Sequence, residues 1–281
     1  MKKITLLVLL ILSINCLGQS KIDKRTKLIV EEGKRLYKSE MASWNGTDIF
    51  LEKYKEREKI GGYFSYSENE TSKCIFFSKE ENPKVIGTIT FDNSFEIRNA
   101  KTELDERQFT ENEKDYYLLR IAAKKIMEND TIFKHYKNSN LNIIPLISEG
   151  EKKVYILCGP TNNGVVIFGN DYLLNFDNKF NLKKTKQLHR NIIPIEFKKD
   201  EKDSETIHNH QEETGDFITA TDICTLMLYE KFAKWKNHIV VSKKYMSIWN
   251  CKTDELFVIK TEVAKKINDL EKDKKTETEK K

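Results

Sequence analysis

The feature that most restricts the fold is a change of hydrophobic period at Gly61-Gly62. Before it, Leu28, Ile29, Leu36, Tyr37, Ile49, Phe50 and Tyr54 recur near a helical spacing, which predicts helix over 22–58. Asn45-Gly46 predicts a break into two helices, and Gly61-Gly62 predicts the end. After it, "GYFSYSE", "SKCIFFSKE" and "KVIGTITFD" are short β-branched and aromatic runs between polar turn clusters, the pattern of a small antiparallel meander. Thr110 and Glu113 form an S/T-x-x-E capping box ahead of Tyr117, Ile121 and Ala122, predicting a helix that packs on the meander. The class is therefore α+β, with an N-terminal α+β region over 19–140 that ends in the polar Asn138-Ser139-Asn140.

A second unit is expected over 141–270. "KVYILCG" and "GVVIFG" flank Pro160-Thr161-Asn162-Asn163-Gly164 and predict a hairpin. "YLLNFD" and "IIPIEF" read as further strands, the latter at an edge because Pro194 lacks a donor. A dense apolar helix from about Asp222 to Trp235 follows, then the strands "HIVVS" and "MSIWNC" and the run "LFVIKTEVAKKINDL". "CGPTNNG" and "FGNDY" lack the spacing of a phosphate loop and read as turns that need positive φ. Residues 271–281, "EKDKKTETEKK" with Glu271 first, have no apolar anchor and read as a disordered charged tail.

Residues 1–18 have the make-up of a signal peptide: basic "MKK", apolar "ITLLVLLILSI", and small residues at Cys16 and Gly18 before a cut at Gln19. The run falls short of the about 20 apolar residues of a membrane span. The mature chain is therefore expected to be exported, periplasmic or extracellular, without a transmembrane span. Ser13 and Asn15 disfavour lipidation and anchoring at Cys16. The 49 basic and 44 acidic residues nearly cancel and form no basic cluster, which argues against a nucleic-acid partner. Cys74, Cys158, Cys224 and Cys251 sit in apolar contexts without a C-x-x-C motif and read as buried free thiols. Export also permits disulfides, whose pairing the spacing leaves open.

The chemistry concentrates in "SETIHNHQEETGDFITATD". If "ETIHNH" is a strand, its two-residue period places His208 and His210 on one face and Ile207 and Asn209 on the other. With Asp222 these make two imidazoles and a carboxylate, the donor set of a catalytic zinc that keeps one position for water, although iron also uses it. A purely structural account of Asp222 stands beside this one. Thr219 with Asp222 three residues on is a helix N-terminal cap, and Thr221 offers another. His135, His189 and His238 read as structural or surface histidines.

The order His208, His210, Thr219, Asp222 resembles the metal-binding motif of the JAB/MPN (JAMM) metalloproteases. The resemblance covers about residues 149–260 and implies a mixed α/β JAB/MPN-like domain over the second unit. It implies His208, His210 and Asp222 as zinc ligands and Thr219 as the hydroxyl that supports the oxyanion. It also implies Glu151 as general base, with Glu149 and Glu196 competing for that place. The expected function is an exported metal-dependent hydrolase acting on a peptide or isopeptide bond of an unknown peptide or protein substrate. The alternative is a non-catalytic exported binding module with a degenerate metal site, its aromatics in "GGYFSYSE" and "MASWNG" forming a partner surface. A third reading makes the polar stretch before Phe217 an exposed loop with no site.

Overall fold

The computed structural model describes residues 2–198 and 204–269, with backbone alone for 2–20. The expected tail at 271–281 and the side chain of Cys16 lie outside the described residues. Helix α1 spans Lys2–Lys53. Strands β1 (Ile60–Glu68), β2 (Thr71–Ser78), β3 (Val85–Phe91) and β4 (Lys101–Glu103) form the expected antiparallel meander in that order. Helix α2 (Glu111–Asn129) starts at the predicted capping box: Glu113 N–H donates to Thr110 Oγ1 at 3.2 Å, and Thr110 N–H donates to Glu113 Oε2 at 2.8 Å.

The second half contains three further sheets. The first is β5 (Ser139–Ser148), β6 (Glu151–Pro160), β8 (Tyr172–Phe176) and β9 (Leu182–Gln187), antiparallel throughout. The second pairs β7 (Val165–Gly169) with β10 (Ile192–Glu196), where Pro194 occupies the expected edge. The third is β11 (Ser204–Asn209), β12 (Trp235–Val241), β13 (Tyr245–Asn250) and β14 (Glu255–Lys260). In it β11 and β12 run parallel, with helix α3 (Ala220–Ala233) in the connection between them. Residues 261–269 are helical. Among the described residues, no helix is long and apolar enough to cross a membrane.

Two local expectations are corrected. The β6–β7 hairpin does not form: β6 pairs with β5 and β8, and β7 leaves to pair with β10. Helix α1 also runs unbroken through Asn45-Gly46. The glycine serves close packing there, since a Cβ at Gly46 would lie 2.7 Å from Cys74 Cβ on β2, and Asn45 donates to Phe95 O at 3.0 Å. An alanine at Gly46 would gain about 1 kcal/mol of helix propensity. Cys74 Cβ is fixed to a central strand and cannot step aside, so overpacking of about 1–3 kcal/mol wins. Gly46→Ala is expected to lower the thermal midpoint; a higher midpoint would show that the helix and sheet can separate.

Helix α3 is apolar nearly all round because it is enclosed. Ile223 and Leu226 pack with Val166, Phe168 and Trp249, while Cys224 and Leu228 pack with Leu36 of α1 and with Ile144 and Leu157. A helix hydrophobic on every side belongs in a core. Helix α1 thus serves both halves of the chain, and α2 does likewise. Tyr116 stacks with Phe64 and Tyr66 of β1, and Leu119 and Ala123 pack with Ile143, Val154 and Ile156. Cys74, Cys158, Cys224 and Cys251 are buried and unbonded.

Candidate metal centre

The third sheet and its enclosed helix converge on one polar cluster. On β11, His208 is buried while Ile207 and Asn209 are exposed, and His210 follows on the buried face, its N–H donating to Val241 O at 2.9 Å. The two imidazoles therefore share a face, and Ser204–Asn209 is strand rather than loop. At the start of α3 the predicted cap forms. Asp222 N–H donates to Thr219 Oγ1 at 3.1 Å, and Asp222 Oδ2 accepts from Thr219 N–H at 2.9 Å and from its hydroxyl at 2.7 Å. Only one carboxylate oxygen is used by this cap. The other, Oδ1, is buried without a hydrogen-bond partner and lies 3.7 Å from His208 Nε2.

A fourth side chain enters from a segment that sequence spacing did not mark. His189, in the turn between β9 and β10, was expected to be a structural or surface histidine, but its Nε2 stands 3.7 Å from Asp222 Oδ1 and 3.0 Å from His210 Nε2. Gly169 makes this approach possible: its φ is +80°, and a Cβ there would collide with Asn191 O and stand 3.2 Å from His189 Cβ. His189, His208, His210 and Asp222 are all buried, at 1–7 % exposure, and each offers a ligand atom within 4.8 Å of the others. This buried group can bind a metal ion. Tetrahedral zinc with bonds of about 2.0–2.1 Å holds its ligand atoms about 3.3–3.4 Å apart. Here neighbouring donors stand 3.0 Å and 3.7 Å apart and all four lie within 4.8 Å, so an ion would draw the wider pairs inward. The unpartnered His208 Nε2 and Asp222 Oδ1 are the atoms an ion would satisfy.

A second layer orients these donors. Asp171 Oδ1 holds His189 Nδ1 at 2.7 Å, and Thr221 donates to the other Asp171 oxygen. His208 Nδ1 pairs with His238 Nε2 at 2.8 Å, and His238 Nδ1 pairs with Thr206 Oγ1 at 2.7 Å. His238 thus supports a ligand from the same sheet. Phe168 stacks on His238 and tilts against His208, closing the site with an apolar wall. Carboxylate–histidine pairs of this kind fix the tautomer and ring orientation of a ligand. Asp171→Asn is therefore expected to weaken metal affinity by about 10–100-fold, read by competition with a chelating dye. Unchanged affinity would place His189 outside the coordination sphere.

Charge follows the same geometry. Burial lowers the His208 pKa to about 4 against the pull of Asp222, and burial with the His208 charge lowers His238 to about 3. For His189 burial also acts downward, but the Asp171 and Asp222 carboxylates outweigh it and raise the ring to about 9. The Asp222 carboxyl is held well below the usual range: burial pushes it up, and the surrounding imidazoles overcome that.

The remaining predicted residues lie elsewhere. Glu151 pairs with Ser148 at the tip of the β5–β6 hairpin, its side chain 66 % exposed and bound to Lys153 at 2.8 Å. Asp171, which holds His189, immediately precedes Tyr172, and Tyr172 faces Ile156 on β6. Five residues at about 3.3 Å each put Glu151 roughly 17 Å along the strand. Glu149, at φ 53°, is exposed in the same turn, and Glu196 is exposed at the end of β10. Thr219 borders the cluster, but its hydroxyl is engaged with Asp222 and Thr221. His135 is exposed. No protein-family model, curated protein or solved structure matches this chain.

Proposed function

We propose that this protein is an exported, zinc-stabilised binding module rather than a hydrolase. The observation that carries the reading is His189: with it, four protein donors, His189, His208, His210 and Asp222, lie within 4.8 Å of one another, and four such ligands would leave a tetrahedral ion no position for water. A four-coordinate zinc with no open position is the structural form of the site, and its binding energy is folding energy. Zinc suits three imidazoles and one carboxylate better than the oxygen-seeking magnesium or calcium. The ion would join the β9–β10 turn, β11 and the start of α3, three segments that backbone hydrogen bonds alone do not tie into one unit. Export rests on the composition of residues 1–18.

Metal analysis of the purified mature protein tests the reading. One equivalent of zinc, lost in His208→Ala and giving a tetrahedral absorption spectrum when replaced by cobalt, is the expected result. Less than a tenth of an equivalent, unchanged by His208→Ala, would remove it. The hydrolase reading retains one observation in its favour, the succession of His208, His210, Thr219 and Asp222 along β11 and the start of α3. Peptidase activity abolished by chelator and by Glu151→Gln would favour it over the binding module.

A further inference from the structure

A separate cavity of about 290 Å³ opens between α1, β1, β5, β6 and α3. It takes three residues one helical turn apart on α1, Glu40, Trp44 and Asp48, together with Tyr63, Asn142 and Tyr229. Glu40 Oε2 accepts from Asn142 Nδ2 at 3.1 Å on the cavity wall. Burial lifts the Glu40 carboxyl to about 7 despite that hydrogen bond and the nearby Arg120. Arg120 itself is committed elsewhere, donating to Ile143 O with its guanidinium 4.7 Å above the Tyr63 ring.

The rim is aromatic in a way the core does not explain. Trp44 is 46 % exposed and Phe232 63 % exposed, yet they stack at 6.4 Å, and Trp44 tilts against Tyr229 at 6.1 Å. Among the described residues that line the cavity there are two carboxylates and no lysine or arginine. Aromatic faces attract cations, most strongly when a carboxylate stands behind them and water is partly excluded. A concave site with a few convergent polar groups is also the usual form of a ligand pocket.

We propose that this cavity binds an aliphatic organic cation, an alkylammonium or guanidinium group, with its charge facing Glu40 and Asp48 and its alkyl chain over Trp44 and Tyr229. The ligand is either a free polyamine or the lysine or arginine side chain of a polypeptide. The site is independent of the metal cluster and stands whether or not zinc binds.

Calorimetric titration of the full mature protein tests this with cadaverine, spermidine and the Nα-acetyl amides of lysine and arginine. Nα-acetyl-norleucine amide and a neutral trisaccharide serve as uncharged probes. The cations are expected to bind with a Kd of about 1 mM or tighter, and the norleucine amide about tenfold more weakly. Glu40→Gln and Trp44→Ala are each expected to weaken cation binding by about tenfold with unchanged metal content. Should Glu40→Gln fail to fold, the exposed Asp48→Asn and Trp44→Ala variants carry the test. Binding of cadaverine or spermidine alone assigns a free ligand, and binding of the capped amino acids alone assigns a polypeptide side chain. No heat from any cation, equal affinity in all the variants, or preferential binding of the trisaccharide would overturn the proposal.

Discussion

Asp222→Ala is expected to abolish metal binding and to destabilise the protein by about 3–5 kcal/mol, because it removes the carboxylate that three buried imidazoles share. Loss of an N-terminal cap alone would cost about 1 kcal/mol. The two roles separate in Asp222→Asn, whose amide oxygen can still accept from Thr219 N–H but carries no charge. That variant is expected to lose the metal and less stability than Asp222→Ala. Urea unfolding at unchanged slope, with metal analysis of each variant, reads both effects. If Asp222→Ala loses only about 1 kcal/mol and keeps its ion, Asp222 is a helix cap and nothing more.

The second large effect is on the pH dependence of the metal-free protein. Burial holds folded His208 at about 4 and His238 at about 3, whereas unfolded histidines titrate near 6.5. The unfolded chain therefore binds more protons in that window, and stability falls as pH drops from about 6.5 towards 4. His189 acts in the opposite direction. Its folded pKa of about 9 means that its contribution is complete below about 6.5 and is lost as pH rises through 9. The histidine contribution in the chelated protein is thus greatest near pH 6.5. Glu40 and Glu230, which burial raises to about 7 and about 8, oppose it as pH rises above about 4.5, so the cluster's share is read as the difference between the wild-type and His208→Ala profiles.

Bound zinc changes both flanks. A ligating His189 has already given up its proton, so the alkaline loss should vanish, while protons competing for three imidazoles should steepen the acid loss. Thermal unfolding between about pH 4 and 9, with chelator or with one equivalent of zinc, distinguishes the profiles. A chelated profile left unchanged by His208→Ala would mean that the imidazoles are not buried together.

Much of the local structure was legible because its causes are local. Thr110 with Glu113 and Thr219 with Asp222 are capping boxes whose chemistry lies within four residues, and both form as written. The alternation in "ETIHNH" likewise put His208 and His210 on one face, since a strand has no other way to arrange them. Gly46 misled because a glycine marks either a turn or a close approach, and only the position of Cys74 decides which. The β6–β7 hairpin failed for a related reason: turn residues permit a reversal without choosing the partner strand.

By itself, then, the sequence determined the α+β class, the caps, and a strand that presents two histidines beside a helix opened by an aspartate. Tertiary structure decided what these residues amount to. His189 is 19 residues before His208 in a turn with no periodicity of its own, and Asp171 lies further back still. They reach the cluster because β8 and β9 pair, Leu188 N–H donates to Asp171 O at 2.9 Å, and Gly169 leaves room for the turn to close. A ligand sphere is a condition on distances between segments, and sequence period reports only on neighbours within one segment. For that reason three candidate ligands in the sequence become a buried group of four in the fold.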